Sequence, residues 1–132
     1  MWESLLHAGW RSLVVVPADH GTPVEVVTNA LHAVSRRPGG EALKVVDASS
    51  ATVAQGEGLA MQLKTLVDGG ARVVAIVDSV MLSLAGIPLI RSAEEVLLVV
   101  RVGDGDPDGM TSTIGIVGPE RIIGTVAVPP QT

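Results

Sequence analysis

Two carboxylates stand where chemistry would need them. Asp47 closes the apolar run Leu43-Lys44-Val45-Val46, and Asp78 follows the apolar run from Arg72 to Val77. If both runs are strands of one parallel sheet, their carboxyl ends share a rim. Paired carboxylates on such a rim can hold magnesium beside a nucleotide. An Asp just after a strand is equally an ordinary turn or helix-cap residue, because its short side chain accepts hydrogen bonds from nearby backbone N–H groups. Other candidates lead less far. Asp104, Asp106, Asp108 and Gly109 match the opening of a calcium loop, but its twelfth position is Gly115 rather than a bidentate Glu, so a solvated turn is expected. His7, His20 and His32 lack metal-ligand spacing, and among them only His20 falls in the rim region. Ser49, Ser50 and Ser79 lie in no Gly-x-Ser-x-Gly elbow, so turn and capping roles are expected. Cysteine is absent, which removes disulfides, thiolate nucleophiles and thiolate metal sites together.

The elements that must position these residues follow from the apolar pattern. Ser12-Leu13-Val14-Val15-Val16, ended by Pro17, is short, β-branched and continuous, as a strand buried on both faces should be. From Thr22 to Arg36, Val24, Val27, Ala30, Leu31 and Val34 recur at helical spacing, with Pro23 in a first turn and Pro38-Gly39-Gly40 closing, which predicts a helix over 22–36. A second strand spans Leu43 to Asp47. A second helix runs from Glu57 to Asp68, placing Leu59, Ala60, Leu63, Leu66 and Val67 on one face before Gly69-Gly70. Further strands are expected over Arg72 to Val77, Glu95 to Val102 and Arg121 to Val128, with a brief helix from Asp108 to Val117. Met61, Met81 and Met110 are scattered and are expected to fill the core. This βα alternation predicts an α/β fold, a mostly parallel five-stranded sheet with helices on both faces in three layers.

Composition narrows the class. The chain has 132 residues, enough for one domain, and is 47% hydrophobic but only 17% charged, unlike a disordered chain. A single domain over 12–128 is expected, with an N-terminal segment over 1–11 that can be helical and a tail over 129–132. The formal charge of -5 and the absence of Phe and Tyr argue against nucleic-acid binding. Asp, Gly, Pro or Arg interrupts every apolar run within about seven residues, too short for a membrane span. With no secretory signal at Met1-Trp2-Glu3-Ser4, a cytoplasmic location is expected.

Read in order, the segments resemble the ATPase domain of bacterial tyrosine kinases of capsule and exopolysaccharide synthesis, and more widely the septum-placement and plasmid-partition ATPases. The resemblance spans roughly residues 12 to 128. It is carried by Asn29-Ala30-Leu31, Val46-Asp47-Ala48, Ile76-Val77-Asp78, the step Ser92-Ala93-Glu94-Glu95 into Val96-Leu97-Leu98-Val99-Val100-Arg101, and the turn Gly118-Pro119-Glu120-Arg121-Ile122-Ile123-Gly124. It implies a P-loop-like fold in which Gly21, Thr22, Pro23, Val24, Asp47 and Asp78 form the nucleotide rim. That rim is vestigial. A phosphate loop needs glycines to open its backbone N–H groups, a Lys for charge and a Ser/Thr hydroxyl for magnesium. Counted back from Asn29, those last two positions are Pro23, with neither charge nor N–H, and Val24, with no oxygen ligand. Asp19 would repel phosphate, and Val128-Pro129-Pro130 replaces the Asn expected beside the adenine. The tyrosine cluster on which such kinases autophosphorylate is missing, since the chain has no Tyr.

The expectation is a non-catalytic, pseudo-ATPase-like interaction or scaffold module without cofactor or metal. It would act on a second copy or on a protein partner, and the resemblance implies a membrane polysaccharide co-polymerase and a role in exopolysaccharide assembly or surface machinery. The alternative is a small atypical ATPase or kinase using Asp47 and Asp78 for magnesium. An α/β domain whose altered rim takes a non-phosphorylated small molecule is a third reading. Mean hydropathy is +0.46, high for a small domain, so apolar surface should remain exposed. Trp2, Leu5, Leu6 and Trp10 have helix-like spacing and are the interface candidates; equally, the segment can fold back as a cover over the sheet edge.

Overall fold

The computed structural model describes residues 10–18, 29, 30, 33, 43–49, 51–80, 83–101 and 107–128. The β-branched runs become five strands: β1 (Ser12–Pro17), β2 (Leu43–Ala48), β3 (Arg72–Val77), β4 (Glu95–Arg101) and β5 (Ile122–Val128). They form one sheet in the order β2-β3-β1-β4-β5, and every pair is parallel. The α/β class expected from the alternation is therefore the class observed. Central strands β1 and β3 are buried along their whole length, as unbroken Val/Ile/Leu runs in a parallel sheet require.

Register sorts the strand residues between two faces. Val14, Val16, Val73, Ala75, Val77 and Val96 build one core, and Leu13, Val15, Val74, Ile76, Leu97, Val99 and Val126 build the other. The first face is covered by α1 (Val53–Asp68), through Ala60 and Leu63, and by α2 (Ile87–Ser92), through Leu89 and Ile90. Val117, at the end of α3 (Pro107–Val117), joins the same core. These three helices connect β2 to β3, β3 to β4 and β4 to β5, all in one direction across the sheet, so right-handed crossovers put them on one side. The connection from β1 to β2 runs the opposite way across the sheet. Its described residues Asn29, Ala30 and Ala33 are helical. The remainder of the helix expected over 22–36, most of the 1–11 segment and the 129–132 tail lie outside the described residues.

Helix α1 begins at Val53, four positions before the expected Glu57, because the start is set by polar groups rather than by the apolar face. Gln55 Oε1 accepts the N–H of Thr52, the residue preceding the helix, at 2.9 Å. Its other end closes through Gly70 at φ 95, a left-handed conformation suited to glycine. The N–H of Gly70 donates to Val67 O at 3.0 Å, and that of Ala71 to Leu66 O at 3.1 Å. Helix α2 was not anticipated; it is only six residues long and carries Pro at its start. Two close approaches lock this region. A Cβ on Gly56 would stand 2.5 Å from the Ala85 carbonyl oxygen, and one on Gly86 would stand 2.7 Å from Val77 Cβ. Met61 corrects the expectation of core filling: it is 71% exposed, on the side of α1 away from Ala60 and Leu63.

Candidate functional site

The topology brings Asp47 and Asp78 to the carboxyl ends of two neighbouring strands. Asp47 is paired with Ile76 in the β2–β3 ladder, and Asp78 lies immediately past Val77, the last residue of β3. Both are exposed. Each accepts a hydrogen bond from a serine that follows it in the chain. Asp47 Oδ1 accepts both the backbone N–H of Ser49, at 3.0 Å, and its hydroxyl, at 2.6 Å. Asp78 Oδ1 accepts the N–H of Ser79 at 2.8 Å. Each carboxylate thus turns the chain as it leaves its strand, the role that a short acceptor side chain performs through nearby N–H groups. The serines occupy the turn positions expected of them: Ser49 donates to Asp47, and Ser79 is 1% exposed with its carbonyl accepting from Ser83 N–H at 3.0 Å. Ser50 lies outside the described residues.

Beside Asp47 is an open hollow of about 530 Å³ lined by Asp47, Ala51, Gln55, Gly58 and Leu59. Its polar side chains already serve the fold, Asp47 in the turn with Ser49 and Gln55 at the start of α1.

In an open parallel sheet, ligands sit where neighbouring strands send their connections in opposite directions. Here that point lies between β1, which connects leftward to β2, and β4, which connects rightward to β5. Its described part is bound up with the chain itself. Ala18 N–H donates to Val99 O at 2.8 Å, and Thr113 of α3, 0% exposed, has its hydroxyl oxygen 2.8 Å from the carbonyl oxygens of both Ala18 and Gly109. Thr113 was not singled out in the sequence, since one Thr in an ordinary helical pattern carries no mark of its partner on another element. Gly21, Thr22, Pro23, Val24 and His20 lie outside the described residues, as do His7, His32, Asp104 and Asp106. Asp108 sits in the first turn of α3, and residues 107–117 are helical, so this stretch does not wrap as a calcium loop. Among the described residues, no three His, Asp or Glu side chains gather as a metal site.

At the opposite end of the sheet, Trp10 is 2% exposed within the second core. Trp10 itself therefore lies inside the molecule rather than on its surface. The flat indole has a partner there: the Arg72 guanidinium lies 4.0 Å from the ring centroid. Trp2, Leu5 and Leu6 lie outside the described residues. No described helix is long and apolar enough to cross a membrane. Compared with protein-family models and with curated proteins, the chain matches none.

Proposed function

We propose that this chain is a non-catalytic, pseudo-ATPase-like module that works through its surfaces, by joining a second copy or a protein partner. The observation that carries the reading is the engagement of both rim carboxylates by the serines that follow them, Asp47 by Ser49 and Asp78 by Ser79. Carboxylates used to turn the chain have a structural reason to be present without magnesium. Pro23 and Val24 support the same reading, since neither supplies the positive charge or the metal-binding hydroxyl of a phosphate loop. By its resemblance to polysaccharide-synthesis kinases, the module acts in the cytoplasm, on a membrane polysaccharide co-polymerase or on surface machinery.

One observation favours a second reading, an atypical ATPase or kinase: Asp47 and Asp78 do share the end of neighbouring strands, where two carboxylates can hold magnesium. Phosphate release from magnesium-ATP separates the two. The module reading expects no release above the protein-free blank, both for the parent and for a Pro23→Lys/Val24→Thr variant, in which the glycine cradle is still missing. Release by the parent that is abolished in Asp78→Ala would establish the second reading instead.

A further inference from the structure

The two edges of the sheet differ in chemistry. Edge strands offer a row of backbone N–H and C=O groups to any extended chain, and proteins commonly guard them with charged side chains. On β2, Lys44 and Asp47 are charged and exposed. On β5, Ile122-Ile123-Gly124-Thr125-Val126-Ala127-Val128, there is no charge at all. Among the described residues β5 pairs only with β4, and Thr125 and Ala127 are exposed on it. A register shift opposite Val96 and Leu97 leaves Ile123 as the extra residue, so the regular part of the strand is Gly124 to Val128.

The surface suits a second copy of itself. Two identical strands related by a two-fold axis perpendicular to the sheet pair antiparallel. Because side chains alternate between faces, each residue then faces one an even number of positions away. Centred on Val126, this places Thr125 opposite Ala127 of the second copy and Gly124 opposite its Val128. A β-branched residue meets a small one, and the absence of charge leaves nothing in the strand to repel its twin. We infer that the chain forms a two-fold dimer in which the β5 strands of two copies pair antiparallel about Val126, making one continuous sheet. This rests on the interaction-module reading and names its partner and surface.

A strand pair this short buries less than the roughly 1,200 Å² typical of stable complexes, so the dimer should be concentration-dependent. Sedimentation velocity of the full chain, from about 10 μM to about 1 mM, should show a reversible monomer–dimer equilibrium with Kd on the order of 100 μM. Thr125→Lys and Ala127→Lys, at exposed positions and checked for folding by circular dichroism, should each weaken it by about tenfold or more. The chain has no cysteine, so register can be read directly. A Thr125→Cys/Ala127→Cys variant should oxidise to a covalent dimer linked between 125 of one copy and 127 of the other, mapped by mass spectrometry, since directly opposed residues have disulfide-compatible spacing. A monomer throughout the range would overturn the proposal, as would a dimer that both Lys variants leave intact. The latter result leaves the module reading standing on another surface, whereas nucleotide turnover by an intact dimer would remove that reading and keep the β5 interface.

Discussion

The Arg72 guanidinium stacks over Trp10, 4.0 Å from the ring centroid, while its Nε donates to the Trp10 carbonyl oxygen at 3.0 Å. One side chain therefore holds both the ring and the backbone of the residue that leads into β1, and Val73 N–H adds a bond to Arg11 O at 2.9 Å. Trp10→Ala should lower stability by about 3–5 kcal/mol, the usual cost of truncating a buried aromatic. Arg72→Lys keeps the charge but loses the planar stack and the Nε bond, so about 1–2 kcal/mol is expected. Urea denaturation at neutral pH measures both; an Arg72→Lys protein as stable as the parent would show that the stack contributes nothing.

Two glycines of α1 should respond with opposite signs. Gly56→Ala drives a methyl group to within 2.5 Å of the Ala85 carbonyl oxygen and should cost about 1–3 kcal/mol by forcing α1 away from the segment leading to α2. Gly58 has nothing within 4 Å of its would-be Cβ, so Gly58→Ala should stabilise the protein by about 0.5–1 kcal/mol through helix propensity alone. Thermal unfolding of the two variants beside the parent checks the signs.

The strands were legible in the sequence because five runs rich in β-branched residues, each bounded by Pro, Gly or charge, are too short for a core helix and suit a buried strand. Asp47 and Asp78 were legible as strand-end residues for the same reason. The strand order was not, since placing β1 between β3 and β4 depends on contacts far apart in the chain. Nor was α2: six residues give too little periodicity to distinguish a helix from a loop. The exposure of Met61 escaped a reading by residue type, because an apolar side chain one position from buried Ala60 already points off the core face. Whether Trp10 is a surface anchor or a covering residue stays open in the sequence, because its partner, Arg72, lies 62 residues away.

Thr113 ties α3 to the end of β1. Thr113→Val keeps the shape of the side chain but removes the hydroxyl donor, leaving the Ala18 carbonyl oxygen without that partner, at a cost of about 1–3 kcal/mol. Thr113→Ser should retain most of the stability. Amide exchange near Ala18 should accelerate in the Val variant, and equal protection in both variants would show that the hydroxyl does not hold this junction.

Asp47 should behave as a turn residue. Asp47→Ala should cost about 1 kcal/mol by freeing the Ser49 N–H and hydroxyl, while Asp47→Asn, which keeps an Oδ1 acceptor, should recover most of it. Adding magnesium should alter the denaturation midpoint of neither variant relative to the parent. A parent stabilised by magnesium in an Asp47-dependent way would assign the carboxylate to a metal.

Calorimetric titration of the full chain with magnesium-ATP tests the central claim most directly. A module whose rim carboxylates serve the fold, and whose loop lacks a Lys and a metal-binding hydroxyl, should give no binding heat beyond dilution at nucleotide concentrations up to about 1 mM. Saturable binding with micromolar affinity, lost in Asp78→Ala, would contradict it.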